Sequence, residues 1–225
     1  MRKALLFAAA VSAVIIASSQ SQSCVDTALV LAVDGSGSIT DEEYEFQKAA
    51  IVSAFRDGTV LSAIRSSGSV AVAAVFWGDG ELSSQKIGWF IMEGMTPSEQ
   101  FALEVERNQR TAWGNTDIGG GLWVALDLLS DPKLCARRLI VDISGDGRET
   151  IAPKRRKSIS LTQARDRAEA MGVTINGLVI SDEETDLADY YNQKVIMGPN
   201  RFVMDIKNIQ DFAKAIRLKL IRELS

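Results

Sequence analysis

The sequence predicts a doubly wound α/β domain, in which helices cover both faces of a mostly parallel, six-stranded sheet with one antiparallel edge strand. Two observations lead to this fold class. From Val25 onward, short β-rich runs alternate with amphipathic helical stretches. In addition, Thr27–Val33 is a continuous apolar run, which is typical of a strand buried on both faces of a parallel sheet. No internal repeat, linker or second domain is evident, so we expect a single domain.

The elements follow in order from apolar runs and local signals. Thr40, with Glu43 three residues later, forms a capping box that opens the first helix. The link Gly78–Gly80 is turn-like, so the strands before and after it should pair as an antiparallel hairpin. The predicted strands are Thr27–Val33, Val70–Trp77, Gln85–Met92, Arg138–Ile143, Val173–Ile180 and Arg201–Met204. Further helices are predicted at Pro97–Asn108, Ile118–Leu129, Thr162–Met171, Thr185–Gln193 and Ile209–Leu224.

Residues 1–23 have the layout of a secretory signal peptide. Arg2 and Lys3 precede an apolar run, Ala4–Ala17, that is too short to span a bilayer comfortably. We expect cleavage between about residues 19 and 23. The mature domain, residues 24–225, would then be periplasmic or secreted, without stable membrane insertion. A retained membrane anchor and a lipid attached to Cys24 are the alternatives.

Composition excludes several functions. The formal charge is −4, and it becomes −6 without Arg2 and Lys3, which argues against nucleic-acid binding through a basic surface. The chain has no histidine, so Ser-His-Asp catalysis, Cys-His catalysis and His-ligated zinc are excluded.

Three polar segments occupy the positions where ligands bind in open α/β sheets, beyond the carboxyl ends of the strands. They are Asp34–Ser38 after the first strand, Gly114–Asp117 before a helix, and Ser144–Gly147 after the fourth strand. All three offer oxygen donors and no thiolate or imidazole. Such a donor set suits a hard cation, Mg²⁺ first and Ca²⁺ or Mn²⁺ as alternatives.

The run Val-Asp-Gly-Ser-Gly-Ser-Ile at Val33–Ile39 resembles the metal-ion-dependent adhesion site of von Willebrand factor A domains. Thr116, in Gly-Asn-Thr-Asp-Ile-Gly, matches the second-loop threonine of that family, and Asp146 matches its third-loop aspartate. The chain also resembles an uncharacterised, exported bacterial branch of these proteins. It departs from the pattern at Ile118, where many members have threonine. Asp146 lies farther beyond the predicted strand than is usual, which leaves Asp142 as an alternative.

The resemblance implies a set of metal ligands and a disulfide. Ser36, Ser38 and Thr116 would be direct ligands, with Asp34 and Asp146 binding directly or through water. In the family's sheet order, the strands that carry the two aspartates are parallel neighbours. Their amino ends would therefore lie side by side, which would bring Cys24 and Cys135 within reach of a disulfide bond.

The function that follows is divalent-cation-dependent protein binding, in adhesion or as a scaffold. An acidic residue of a partner protein would complete the metal shell. One alternative is a metal-dependent hydrolase or phosphotransferase that uses Asp34. Against it, Ser36 stands where the common phosphotransferases carry a second aspartate, and no paired general acid and base is visible. The other alternative is a structural domain with an empty site.

Overall fold

A central sheet organises the part of the chain that the computed structural model describes, residues 24–150 and 158–225. Its strands are β1 (Val25–Asp34), β2 (Val70–Trp77), β3 (Gln85–Ile91), β4 (Ala136–Gly145), β5 (Thr174–Ile180) and β6 (Val203–Ile206). They lie in the order β3-β2-β1-β4-β5-β6. Only the β2–β3 pair is antiparallel among these strands, so the predicted six-stranded, mostly parallel sheet with one antiparallel edge strand is confirmed. The predicted signal peptide lies outside the described residues.

Helices cover both faces of this sheet, as predicted. They are α1 (Asp41–Arg56), α2 (Gly58–Ser66), α3 (Met95–Arg107), α4 (Ile118–Leu129), α5 (Leu161–Met171), α6 (Leu187–Tyr190) and α7 (Phe212–Leu224). A π-helical turn, Tyr191–Val195, continues α6. The sequence pattern did not predict α2, whose first turn is capped by the Asp57 carboxylate. Among the described residues, no helix combines the length and the apolar character needed to cross a membrane.

The side chains of β1 alternate between two hydrophobic cores. Leu29, Leu31 and Val33 pack in the core beneath α1, α2, α3 and α7. The intervening small side chains, such as Ala28 and Ala32, pack in the second core, beneath α4 and α5. Burial on both faces explains why β1 reads as an uninterrupted apolar run.

Two predicted features lie at the two ends of β1: the capping box, predicted from the sequence, and the disulfide implied by the family resemblance. After the strand, the Thr40 hydroxyl accepts a hydrogen bond from the Glu43 amide, and the Glu43 carboxylate accepts one from the Thr40 amide. Before the strand, a disulfide joins Cys24 to Cys135, with their Cα atoms 4.5 Å apart. The amide of Val25 donates to the carbonyl of Cys135, so β1 and β4 are already paired at this end. The predicted capping box and the predicted disulfide are therefore confirmed.

Candidate metal-binding site

Four of the five predicted ligand side chains form a chain of contacts at the carboxyl end of the sheet. Ser36 Oγ lies 3.2 Å from Thr116 Oγ1 and 3.3 Å from Ser38 Oγ. Ser38 Oγ in turn donates a hydrogen bond of 2.7 Å to Asp146 Oδ1. Side chains from three separate loops are therefore brought together, although Ser36 and Thr116 are 80 residues apart in the chain.

The fifth predicted ligand, Asp34, is fully buried at the end of β1. Its Oδ1 accepts a hydrogen bond of 2.7 Å from the Ser36 amide. Its Oδ2 is also buried but has no hydrogen-bond partner among the described residues. Burial, together with the nearby Asp146 carboxylate, raises the pKa of Asp34 to about 8. An unpartnered buried carboxylate oxygen is costly, and a bound cation would compensate it.

Asp146 is closer to its strand than the sequence suggested. The strand was predicted to end at Ile143, but β4 continues through Gly145, so Asp146 directly follows it. The extension forms because Ser144 and Gly145 pair with β5 despite their weak preference for strands. The expectation that Asp146 lies farther beyond the strand is therefore wrong. Burial raises the pKa of the Asp146 carboxyl, and the acidic Glu43 and Asp182 raise it further.

The alternative residue, Asp142, lies elsewhere. Its Oδ1 is 2.7 Å from Lys219 Nζ of α7, and both side chains are buried. Asp142 thus forms an ion pair with α7, whereas Asp146 accepts a hydrogen bond from Ser38. The structure brings Asp146, and not Asp142, to the three hydroxyls.

The second loop is held so that the Thr116 hydroxyl is not used for helix capping. Asp117, rather than Thr116, caps α4 by accepting from the Gly120 amide. Two hydrogen bonds join the backbone of Thr116 to Thr150. The Thr150 hydroxyl accepts from the Thr116 amide, and the Thr150 amide donates to the Thr116 carbonyl. The amide of Gly37 donates to the carbonyl of Gly114 at 2.7 Å, which ties the first loop to the second.

Two residues near the site, Tyr191 and Arg110, were missed by sequence reasoning. A Cβ atom at Gly145 would lie 3.0 Å from Asp34 Oδ2 and 2.5 Å from the hydroxyl oxygen of Tyr191, so glycine is required there. Tyr191 is fully buried, and its pKa is raised well above the usual value by burial and then by Asp34. Arg110 contacts the backbone of the first loop. No local pattern marks either residue, since both reach the site only through tertiary packing.

The donor set of the site is dominated by hydroxyl groups. Within residues 24–150 and 158–225, no cluster of three or more His, Cys, Asp or Glu side chains is placed to hold a metal ion. The three hydroxyls and two carboxylates are instead hard oxygen donors, which fit a cation such as Mg²⁺, Ca²⁺ or Mn²⁺. The side chains at this site therefore fit the predicted divalent cation.

The fold is shared with solved structures of low sequence identity. The pilus adhesin SpaC from Lactobacillus rhamnosus GG has 13% identity and a TM-score of 0.60, over 90% of this chain and 31% of that chain. Proximal thread matrix protein 1 from the mussel byssus has 14% identity and a TM-score of 0.60, over 89% and 46%. The PilB minor pilin from Streptococcus sanguinis has 12% identity and a TM-score of 0.59, over 91% and 63%. The domain thus has a von Willebrand factor A-like fold, and it spans less than two thirds of each of these proteins.

Within that class, the chain belongs to the family described as "Protein of unknown function (DUF1194)", whose model matches residues 23–225. No curated protein sequence matches the chain. Another structure of proximal thread matrix protein 1 has zinc in its MIDAS motif, the metal-ion-dependent adhesion site. It has 17% identity and a TM-score of 0.53, over 89% of this chain and 48% of that chain.

Proposed function

We propose that this chain is an exported domain that binds a partner protein through a divalent cation. The hydroxyls of Ser36, Ser38 and Thr116 hold the cation, and Asp34 and Asp146 contribute directly or through water. When bound, the cation supplies a positive centre that accepts an acidic side chain of the partner. Mg²⁺ is the first candidate, with Ca²⁺ and Mn²⁺ as alternatives.

The observation that carries the proposal is the series of contacts that joins four oxygen-bearing side chains, Thr116, Ser36, Ser38 and Asp146, beside the buried carboxylate of Asp34. Ser38 Oγ already contacts Asp146 at 2.7 Å, and the three hydroxyls lie within 3.3 Å of one another in series. Asp34 Oδ2 stays buried without a partner among the described residues. A cation bound among these oxygen atoms would compensate the buried carboxylate oxygen, which supports the proposal.

The similar structures support a binding role over an enzymatic one. They are a pilus adhesin, a minor pilin and a thread matrix protein, and none of these names denotes an enzyme. The zinc-occupied motif named for the thread matrix protein supports a divalent cation in this fold. Two of the three proteins are pilus components, and the Cys24–Cys135 disulfide is typical of oxidising compartments, so both observations favour export to the periplasm or beyond.

The test is isothermal titration calorimetry with Mg²⁺, Ca²⁺ and Mn²⁺ on the purified protein and on Thr116→Val. Valine keeps the shape of threonine but removes the hydroxyl, so binding should weaken by at least about tenfold, the smaller end of what loss of an outer-shell partner costs. The matched control is Thr27→Val. Thr27 is also buried, but it lies near the opposite end of β1, and its hydroxyl has no partner among the described residues.

The proposal predicts that Thr27→Val binds the cation as the wild-type protein does. Absence of binding heat with all three cations in the wild-type protein would contradict the proposal. Equal affinity of Thr116→Val and wild type would remove Thr116 from the site.

A further inference from the structure

The backbone of the first loop, Gly35 to Ile39, is anchored by groups that take no part in the proposed cation site. The amide of Gly35 donates to the carbonyl of Trp77, and the amide of Gly37 to that of Gly114, both at 2.7 Å. Three further hydrogen bonds to the loop backbone come from the side chain of Arg110. Its Nη2 donates to the carbonyls of Gly35 (3.1 Å), Ser36 (2.7 Å) and Ile39 (2.6 Å).

Arg110 is itself fixed on every side. Its side chain is only 6% exposed, and its Nη1 pairs with Asp41 Oδ1 at 2.9 Å. The guanidinium carbon lies 3.7 Å from the ring centroid of Trp113 and 5.3 Å from that of Tyr44. These aromatic contacts compensate part of the cost of burying the charge. A rigid, planar donor is therefore held against three carbonyls of one short loop.

We propose that Arg110 is a positioning residue that orders the first loop in its cation-binding conformation before the cation arrives. The inference rests on the proposed function, and it goes further by assigning the preorganisation to one side chain outside the ligand set. Because Arg110 engages the loop carbonyls, the groups left for the cation are the hydroxyls of Ser36 and Ser38 and the free oxygen of Asp34. Without Arg110 these carbonyls would lack partners, and the loop would sample other conformations.

A positioning role differs measurably from an electrostatic one. Arg110 is positive and lies beside the site, so its charge alone opposes cation binding. Arg110→Lys keeps the charge but loses the planar fork, whereas Arg110→Gln loses the charge as well. If charge were what mattered, the lysine variant would bind as wild type does and the glutamine variant would bind more tightly. Positioning predicts that both variants bind more weakly.

Arg167→Lys is a matched control. Like Arg110, Arg167 stacks on a tryptophan, with its guanidinium carbon 4.4 Å from the centroid of Trp123. It also pairs with an aspartate, Asp127, at 2.7 Å. It lies on α5 and contacts no part of the first loop among the described residues. Loss of a stacked, ion-paired arginine is thus common to both variants, while loss of the loop anchor is specific to Arg110.

The experiment combines Mn²⁺ titration calorimetry with amide hydrogen exchange of the first loop in EDTA. In Arg110→Lys we expect faster exchange at Ser36 and Gly37 and affinity lower by at least about tenfold, since charge-assisted hydrogen bonds are lost. Arg167→Lys should retain wild-type exchange and affinity. Wild-type exchange in Arg110→Lys would overturn the proposal, as would faster exchange with unchanged affinity.

The two proposals can fail separately. If the wild-type protein binds no Mn²⁺, Mg²⁺ or Ca²⁺, the proposed function fails, and with it the cation-specific part of the role of Arg110. The exchange measurement in EDTA would then still show whether Arg110 orders the loop. If the wild-type protein binds a cation and Arg110→Lys binds it equally well, only the positioning role is contradicted.

Discussion

The two oxygen atoms of the Asp34 carboxyl group differ in their hydrogen bonding. Oδ1 accepts a hydrogen bond from the Ser36 amide, whereas Oδ2 is buried without a partner among the described residues. Burial and the neighbouring Asp146 raise the pKa of Asp34 to about 8, from a usual value near 3.8. At neutral pH and without a cation, Asp34 of the folded protein is therefore mostly protonated, whereas an exposed aspartate would be charged.

This residue predicts how stability depends on pH. The folded-state pKa of Asp34 is raised, so the folded protein binds its proton more tightly than the unfolded chain does. In EDTA, the free energy of unfolding of the wild type, relative to Asp34→Asn, should therefore fall as the pH rises from about 4 to about 8. The slope should approach about 1.4 kcal/mol per pH unit. Urea unfolding of both proteins at several pH values measures it.

The comparison with Asp34→Asn removes the contribution of titrating groups that are distant from the site. The pKa of Glu223 is also raised to about 8, by burial and then by Asp142, but Glu223 is present in both proteins and its effect cancels. A constant difference in stability between wild type and Asp34→Asn across this range would show that Asp34 titrates normally.

The first loop could be predicted from local spacing, and Thr116 and Asp146 from the family resemblance, whereas residues that no motif marks could not be predicted at the site. Asp34, Ser36 and Ser38 lie within one turn after a recognisable strand, so their convergence follows from local spacing. Arg110 reaches the same loop from 71 to 75 residues away. Tyr191 lies within the predicted helix Thr185–Gln193, but no sequence pattern shows that its hydroxyl reaches Gly145.

At the scale of elements, α7 is joined to the sheet through a buried ionic cluster. Lys219 Nζ lies 2.7 Å from Asp142 Oδ1 of β4 and 2.6 Å from Glu223 Oε1. Asn176 of β5 donates to the same Glu223 oxygen at 2.9 Å. One ammonium is thus shared by two buried acidic side chains, and α7 is joined to two neighbouring strands.

Removal of this ammonium should strongly destabilise the protein. Lys219→Met leaves two buried acids uncompensated, and we expect a loss of about 3–5 kcal/mol in the free energy of unfolding, as measured by urea denaturation. In the same background, Asp142→Asn with Glu223→Gln should recover much of the loss, because no buried charge then remains in the cluster. A Lys219→Met protein as stable as wild type would contradict this account of α7.

Element boundaries were less predictable than the elements themselves. Each strand was predicted within two residues of its observed ends, and the buried strands β1 and β2 leave a continuous apolar signature. The end of β4 was placed too early, since Ser144 and Gly145 carry no apolar signal and are strand because they pair with neighbouring strands, Ser144 with β1 and both residues with β5. The short helix α2 was missed because Gly58 at its start reads as a turn.

At the scale of the whole molecule, the disulfide closes a loop across a separation of 111 residues between the starts of β1 and β4. Replacement of both cysteines, Cys24→Ser with Cys135→Ser, should lower the free energy of unfolding by roughly 2–5 kcal/mol. Urea denaturation of the double variant beside the oxidised wild type measures the loss. Equal stability would mean that the bond does not constrain the unfolded chain. Cation affinity should be unchanged, since the bond lies at the opposite end of β1 from Asp34.

One pair of neighbouring strands could be predicted, and only with the help of the family resemblance. Alternating strand and helix signals predict a parallel α/β sheet, but they do not say which strands are neighbours. In the family's sheet order, the strands that carry Asp34 and Asp146 are parallel neighbours. The observed parallel pairing of β1 with β4 agrees with this prediction.

The most direct measurement of the central claim is anomalous X-ray scattering from a crystal of this protein soaked in Mn²⁺. The account predicts an anomalous peak within about 2.5 Å of the hydroxyl oxygens of Ser36, Ser38 and Thr116, as expected for oxygen ligands of a hard divalent cation. The same soak of Thr116→Val should lose or weaken the peak. A wild-type crystal with no peak at these hydroxyls, or with Mn²⁺ bound only elsewhere, would contradict the account.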